Sequence, residues 1–472
     1  MVKRLLTFIM LQCIMGVAFA ANYLTFTAEK DGSSFGIKNE DNNPDVQYSL
    51  DDGETWVQLV DGEMITLEQK GDKVLLRGKN PEGFTRDFRK RTIFVMTGSI
   101  AASGSVMSLI DEEGESKKIP CKYCFLYLFK DCYSLISAPE LPATELTYSC
   151  YSGMFMGCTW LKQAPELPAI VLAEECYECM FSSCSSLTQA PELPATVLAE
   201  SCYNSMFSFC VSLTQVPELP ATVLTESCYQ SMFESCSSLT QAPKLPATVL
   251  TEYCYASMFE SCISLTQAPE LPAMELAEGC YTSMFASSEI ERAPKLPATK
   301  LAKSCYSSMF WGCTNLTEAP ELPATKIVAR CYNHMFYLCE SLSKVTVNII
   351  EWETPDDGFY ETYLWLYNVA PTGTFICPKE LEEKYGPSFI PEGWIVKQQE
   401  VDVNDIFSDN SWSVHTSDLT LFISGAKTTI EVYDLTGKLV ARRNGGEDVE
   451  IAVLQKGVYL VKVGKRSQKV EL

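Results

Sequence analysis

A 26-residue repeat fills the middle of this 472-residue chain and constrains its fold more than any other feature. Each copy follows the pattern CYxxMFxxCxxLTxAPxLPATxL, and nine copies run from Cys124 to Ser343. The first cysteine recurs every 26 residues, except for a step of 25 between Cys280 and Cys305. Units of this length bury their apolar side chains by stacking on their neighbours. The pattern therefore predicts nine stacked coils.

The letters within one copy predict a mixture of helix and strand. Residues 200–207 contain neither Gly nor Pro and predict a short helix. The preceding stretch LTQAPELP predicts an extended chain, in which Pro191 and Pro194 lack the N–H that a strand ladder needs. The expected fold class is an α/β repeat solenoid of about nine 26-residue coils, flanked by small all-β domains.

The segments around the repeat predict the domain organisation. Residues 21–118 contain short strand patterns such as YLTFTA and KVLLRG between Gly, Asp and Asn turns, which predicts a small antiparallel β domain. We expect residues 119–343 to form the solenoid and residues 344–400 to cap it. Residues 401–410 are a polar linker, and residues 411–472 alternate apolar and polar side chains, as in a small β-sandwich.

The first 20 residues predict a signal peptide. Lys3 and Arg4 precede an apolar run that ends at Ala18-Phe19-Ala20, a small-x-small cleavage pattern. A lipoprotein signal at Cys13 is the alternative, although the preceding Gln12 is larger than such a signal prefers. No later stretch has the roughly 18 to 20 apolar residues of a transmembrane helix. We therefore expect an exported protein with no transmembrane segment.

The net charge of −23 and a pI near 4.6 limit the classes of partner. Nucleic acids and anionic membranes are bound by basic surfaces, so an acidic chain disfavours both.

The cysteines allow three interpretations: metal ligands, disulfides or core residues. Zinc sites use closely spaced Cys or His pairs, whereas the two cysteines of a copy are eight residues apart. Only CKYC at Cys121 and CYEC at Cys176 have C-x-x-C spacing, and a metal or redox role for either pair is a minor alternative. We expect no metal site.

Twenty of the 21 cysteines follow the predicted signal peptide, and an even number in an exported chain favours disulfides, but their spacing does not. Along a helix, two residues eight apart lie about 12 Å from each other, beyond the roughly 7 Å limit of a disulfide. Bonds between stacked coils remain allowed, although Ser288 interrupts the second series. Buried free cysteine behaves as a small hydrophobe. We therefore expect core thiols, with the clearest examples at Cys150, Cys158, Cys202, Cys210, Cys228, Cys236, Cys254, Cys262, Cys305 and Cys313.

Two sets of side chains are candidates for contact with a partner. Stacking aligns the acidic residue of PxLP into a stripe that suits a basic partner, with Glu192, Glu218, Glu270 and Glu321 as its candidates. Aromatic residues that the repeat does not require form the second set: Phe209, Trp311 and Tyr337.

No sequence pattern marks a catalytic site, so we expect neither an enzyme nor a cofactor. The chain has no nucleophile elbow, phosphate loop or zincin motif, and only His334 and His415 among histidines. The stretch SLDDGETW at residues 49–56 resembles the Asp-box of sialidases. That resemblance implies a hairpin turn away from an active site, with glycan contact as the alternative.

The repeat, seen in MFSFCVSLTQVPELPATVL, resembles the BspA-like leucine-rich repeats of bacterial surface proteins. The resemblance implies leucine-rich-repeat-like coils, a buried role for Cys210 and its equivalents, and a function in adhesion or in attachment to host or partner proteins.

The C-terminal segment resembles the sorting domain of type IX secretion substrates, at YDLTGKLV and at KGVYLVKV. This resemblance implies passage through the outer membrane of a Gram-negative bacterium and a location at the cell surface or outside the cell.

These features together predict an exported cell-surface protein that binds another protein non-covalently through the face of the solenoid. The partner would be a host extracellular protein or a bacterial surface protein. Glycan binding by the N-terminal domain and a display stalk that binds nothing are the alternatives.

Overall fold

The computed structural model describes residues 21–352, 360–399 and 413–471, apart from 418, 427, 435–437, 454–455 and 464–465. The predicted signal peptide and the predicted linker at 401–410 lie outside the described residues. The chain divides into two compact units, Met1–Gln399 and Glu400–Leu472. No helix among the described residues is long and apolar enough to cross a membrane.

The first nine strands are β1 Leu24–Ala28, β2 Ser33–Glu40, β3 Gln47–Ser49, β4 Val57–Gln58, β5 Met64–Leu67, β6 Lys73–Arg77, β7 Arg91–Thr97, β8 Ile100–Ser103 and β9 Leu135–Ser137. They form two small sheets, and all of them except β9, which belongs to the first copy, precede the repeat. One has the order β4-β3-β6-β1-β8-β9 and the other β5-β2-β7. Pairing is antiparallel except between β8 and β9. Side chains of β1 alternate between fully and partly buried, as expected for a strand with one face on the core.

The prediction of an α/β repeat solenoid is wrong. The described residues contain one helix, the four-residue α1 at Ser108–Asp111, and it precedes the repeat. The remaining regular structure is β, in five small sheets. In particular, residues 200–207 form turns where the sequence predicted a helix.

Left-handed backbone conformations explain why no helix forms in the copies. In one copy, φ is positive at Ser201, Ser205 and Phe209, with values of 52°, 54° and 60°. Equivalent positions in the other copies repeat this spacing of four residues. A right-handed helix requires negative φ throughout, so a left-handed residue in every fourth position ends it before one turn is complete.

Backbone hydrogen bonds link each copy to the next one. The N–H groups of Ser201, Tyr203 and Ser205 donate to carbonyls of the following copy, at 2.8 to 3.1 Å. The intervening N–H groups of Cys202 and Asn204 donate within their own turn, to the carbonyl three residues earlier. Three of these five donors are therefore satisfied only because a neighbouring copy is present. We call residues 121–343, held together in this way, the repeat stack.

Aromatic side chains form two ladders inside the repeat stack. Phenylalanines in successive copies stack with ring centroids 5.4 to 5.9 Å apart. Tyrosines do the same at 5.8 to 6.2 Å. Phe94 of β7 covers one end by stacking on Phe129, and Trp365 covers the other by stacking on Tyr332. One continuous core therefore runs through the first unit.

A parallel sheet of order β10-β11-β12 follows the last copy. Its strands are β10 Lys344–Thr346, β11 Thr374–Pro378 and β12 Ile395–Gln399.

The second unit contains two antiparallel sheets, β13-β14-β17 and β16-β15-β18-β19. Its separate core includes Leu421, Ile430 and Val461. Its strands are β13 Ser413–Ser417, β14 Thr420–Ala426, β15 Ile430–Asp434, β16 Leu439–Arg443, β17 Gly446–Ala452, β18 Val458–Val463 and β19 Arg466–Glu471.

Candidate functional site

The extended segment of each copy has one buried and one exposed side. Leu193 and Ala195 are buried, whereas Glu192, Pro194 and Thr196 between them are exposed. This alternation follows from the period of two in an extended chain. The four candidate glutamates, Glu192, Glu218, Glu270 and Glu321, are all exposed.

A row of exposed valines lies on the same segment of four successive copies. We define the valine row as Val171, Val197, Val223 and Val249, which are 52%, 52%, 74% and 54% exposed. Backbone pairing places Val171 directly beside Val197. Ile170, which directly precedes Val171, and Met274, in the copy after Val249, are also exposed. Exposed apolar patches of this kind are often sites of contact with another protein.

Sequence reasoning missed the valine row. The signal was present, because each valine stands two residues after a buried alanine and directly before a buried leucine, as in Ala195-Thr196-Val197-Leu198. Two neighbouring residues between inward-facing side chains cannot both face the core.

Glutamates flank the valine row on both sides along the chain. Glu192 precedes Val197 by five residues, and Glu200 follows it by three. The residue equivalent to Glu200 is also a glutamate in the neighbouring copies. The main-chain carbonyl of each of these glutamates accepts a hydrogen bond from an N–H group of the preceding copy. We define the acidic row as Glu174, Glu200, Glu226, Glu252 and Glu278. Glu278 pairs with Lys303 at 2.7 Å, and the other four side chains are exposed.

The aromatic candidates lie on the turn segment, and the structure brings only two of them together. Trp311 and Tyr337 contact edge to face at 6.0 Å, and Tyr337 stacks on Tyr367 at 5.2 Å. Phe209 is half exposed and occupies a left-handed position whose neighbours in adjacent copies are serines. The turn and extended segments are different parts of each copy, so the aromatic and acidic candidates do not form one continuous row.

The ten candidate core thiols are all fully buried. They are free, as are the other described cysteines. Thiols of the second series bridge copies, as when the Cys210 Sγ donates to the Phe181 carbonyl at 3.1 Å. Burial raises the pKa of Cys202 and of Cys210 to about 12, so both remain protonated at neutral pH. Within the described part of the chain, no three His, Cys, Asp or Glu residues are grouped to hold a metal ion.

The Asp-box-like stretch forms a closed turn between β3 and β4. Asp51 accepts hydrogen bonds from the Thr55 hydroxyl at 2.5 Å, the Ser49 hydroxyl at 2.7 Å and the Thr55 N–H at 2.9 Å. These bonds lower the pKa of Asp51 to about 2. Arg77 lies over the Trp56 ring, 4.1 Å from its centroid. Within this turn the carboxylate is engaged by the turn's own donors.

Comparison with known proteins identifies the C-terminal segment alone. No curated protein and no solved structure matches the chain, so the likeness of the repeat to BspA-like proteins has no support from a homologue. Residues 415–471 match the family described as secretion system C-terminal sorting domain. The chain therefore carries a type IX sorting tail, the mark of an exported protein associated with the cell surface or outer membrane.

Proposed function

We propose that this exported protein binds another protein non-covalently through the exposed face formed by the valine row and its flanking glutamates. The proposal assigns adhesion or partner attachment to the repeat stack, and it assigns no reaction to the chain.

The valine row is the observation that carries the proposal. Its side chains remain 52% to 74% exposed, although the leucines that directly follow them in the chain are buried. Covering one such side chain with a partner would contribute on the order of 1 kcal/mol. Four adjacent valines can therefore supply an apolar centre of the kind found in protein–protein interfaces.

The flanking glutamates define the chemistry of the partner. Glu192 and Glu218 on one side, and Glu200 and Glu226 on the other, favour a partner whose apolar strip is bordered by Lys or Arg. Such charges chiefly increase the association rate and exclude acidic competitors, while the valines supply affinity. A bacterial surface protein and a host extracellular protein are both compatible with this chemistry.

A quantitative capture experiment tests the proposal. The purified full chain and a Val223→Asp/Val249→Asp variant are immobilised, and proteins captured from bacterial surface and host extracellular fractions are compared by mass spectrometry. We expect the captured partner to fall at least about tenfold on the double variant, because buried unpaired carboxylates oppose association. Raising the salt concentration from about 0.05 to 0.5 M should weaken capture of the same partner by the unaltered chain.

Val211→Asp is the matched control, because Val211 is also exposed but lies on the turn segment. This variant should capture the partner as the unaltered chain does. Equal capture by the unaltered chain and the double variant would contradict the proposal. Retention on a glycan array without any protein capture would favour glycan binding, and silence in both assays would favour the display stalk.

A further inference from the structure

Cys121 differs from the ladder cysteines in its exposure. Cys121 and Cys179 alone among the described cysteines are not fully buried. Cys124, three residues after Cys121, is completely buried and begins the first cysteine ladder. A partly accessible thiol therefore stands at C-x-x-C spacing from an inaccessible one.

In the register of the repeat, Cys121 is equivalent to Thr147 of the second copy, and Cys124 is equivalent to Cys150. In other copies the position of Cys121 is occupied by residues such as Thr147, whose hydroxyl lies against the thiol of Cys150. The N–H of Cys150 donates to the Thr147 carbonyl at 3.3 Å, which closes the turn. The first copy has a thiol where that copy has a hydroxyl, so thiols occupy both of these positions in the first copy.

A turn of this kind is compatible with a disulfide. The ends of a four-residue turn lie within about 7 Å at their Cα atoms, and disulfides join Cα atoms about 4.4 to 6.8 Å apart. Tyr123, between the two cysteines, is in the left-handed conformation with φ of 62°.

Residues 83–85 pack closely against the sulfur atom of Cys121. The Cys121 Sγ donates to the Thr85 carbonyl at 3.2 Å, and the Thr85 N–H donates to the Cys124 carbonyl at 2.9 Å. A Cβ atom on Gly83 would lie 2.1 Å from the Cys121 Sγ, so a side chain there would collide with it. The dithiol thus lies at the junction between the N-terminal sheets and the first copy.

The pKa values of the two thiols are shifted in opposite directions. The hydrogen bond with Cys124, helped by the charge of Arg86, lowers the pKa of Cys121. Burial raises the pKa of Cys124 well above its usual value. The accessible sulfur is therefore the more reactive nucleophile, and the buried one is shielded from external reagents.

We propose that Cys121 and Cys124 are a redox-active dithiol that forms a reversible disulfide by exchange with an external disulfide. The Cys121 thiolate attacks one sulfur of the external disulfide, which forms a mixed disulfide and releases one thiolate. Cys124 gives its proton to that thiolate and attacks the Cys121 sulfur, so that the Cys121–Cys124 bond forms and the second thiolate leaves. The released thiolates take up the two protons lost by the protein. The protein dithiol loses two electrons, and the external disulfide gains them.

Cys176 and Cys179 supply an internal comparison with the same spacing. Their order is reversed, since the buried ladder cysteine comes first and the partly accessible one second. Cys179 lies on a left-handed residue, and burial raises its pKa to about 11. Spacing alone therefore does not create the reactive pair.

Equilibration with glutathione redox buffers tests the proposal. The full chain is equilibrated with reduced and oxidised glutathione, quenched with acid, alkylated after unfolding and mapped by mass spectrometry. We expect the Cys121–Cys124 disulfide to increase with oxidation along a two-electron curve, while Cys176 and Cys179 remain reduced. Limited alkylation of the reduced native chain should modify Cys121 at least about tenfold faster than Cys179.

Two variants separate the steps. Cys124→Ser should accumulate a Cys121–glutathione adduct that does not resolve, and Cys179→Ser should oxidise at Cys121 and Cys124 as the unaltered chain does. If Cys124→Ser folds poorly, disulfide mapping of the unaltered chain still tests the proposal. The proposal is overturned if that chain forms no Cys121–Cys124 bond, if it retains the adduct, or if Cys176 and Cys179 oxidise at the same ratio.

Discussion

At the scale of single residues, the tyrosine ladder combines favourable packing with unsatisfied polar atoms. Eight tyrosines, one in each copy after the first, have almost fully buried rings: Tyr151, Tyr177, Tyr203, Tyr229, Tyr255, Tyr281, Tyr306 and Tyr332. The hydroxyls of Tyr151, Tyr229 and Tyr332 have no hydrogen-bond partner within the described residues. A buried hydroxyl without a partner costs about 1 to 3 kcal/mol. Ring stacking, rather than the hydroxyl, therefore explains how these three residues stabilise the stack.

Tyr229→Phe should increase the free energy of unfolding by about 1 kcal/mol, because it keeps the stacked ring and removes the unsatisfied hydroxyl. Tyr229→Ala should decrease it by about 3 to 5 kcal/mol, as expected for loss of a buried ring. Chemical denaturation of both variants measures the difference. Tyr133→Phe, at an exposed position, is the control and should have no effect. A clear loss of stability in Tyr229→Phe would show that the hydroxyl has a partner.

At the scale of elements, the conformation of the turn segment is indicated by comparing all the copies and not by any one copy. Residues 200–207 lack Gly and Pro, and on that ground they predicted a helix. Equivalent left-handed positions in other copies contain Gly153, Gly157, Gly279 and Gly312. Glycine adopts positive φ without strain, so comparison of all the copies would have indicated turns. The structure requires the conformation at each copy, including those with serine.

Ser231, with φ of 50°, is suited to a test of this conformation. Ser231→Val should decrease the free energy of unfolding by about 1 to 2 kcal/mol, because a β-branched side chain is strained in the left-handed region. Ser231→Gly should be tolerated, since Gly153 occupies the equivalent position in an earlier copy. Denaturant unfolding of the two variants compares them directly. Equal effects of Val and Gly would contradict a backbone origin.

At the scale of the whole molecule, the two compact units have separate cores. The first core extends from the N-terminal sheets through the repeat stack, and the second is confined to the C-terminal sheets. A unit with its own hydrophobic core can fold and unfold independently. The type IX sorting tail belongs to the second unit, so the sorting signal and the proposed binding face are in different units.

Removal of residues 400–472 should leave the thermal midpoint of the first unit within about 2 °C of its value in the full chain. The reason is that the first unit keeps its entire core, so its free energy of unfolding should change by less than about 1 kcal/mol. Differential scanning calorimetry of the two proteins measures the change. A larger decrease would mean that the second unit stabilises the first.

The sequence alone determined the length and number of the copies, the apolar positions that recur in each, and the C-terminal motifs of the sorting tail. These are local properties, because each is written in the residues concerned. Tertiary structure decided the conformation of the turn segment and which side of the extended segment is exposed. The N–H groups of Ser201, Tyr203 and Ser205 donate to carbonyls of the next copy. In a helix the acceptors would lie in the same copy, so the sequence of one copy does not reveal these hydrogen bonds. The exposure of Val197, which pairs with Val171 of the preceding copy, depends on this stacking in the same way.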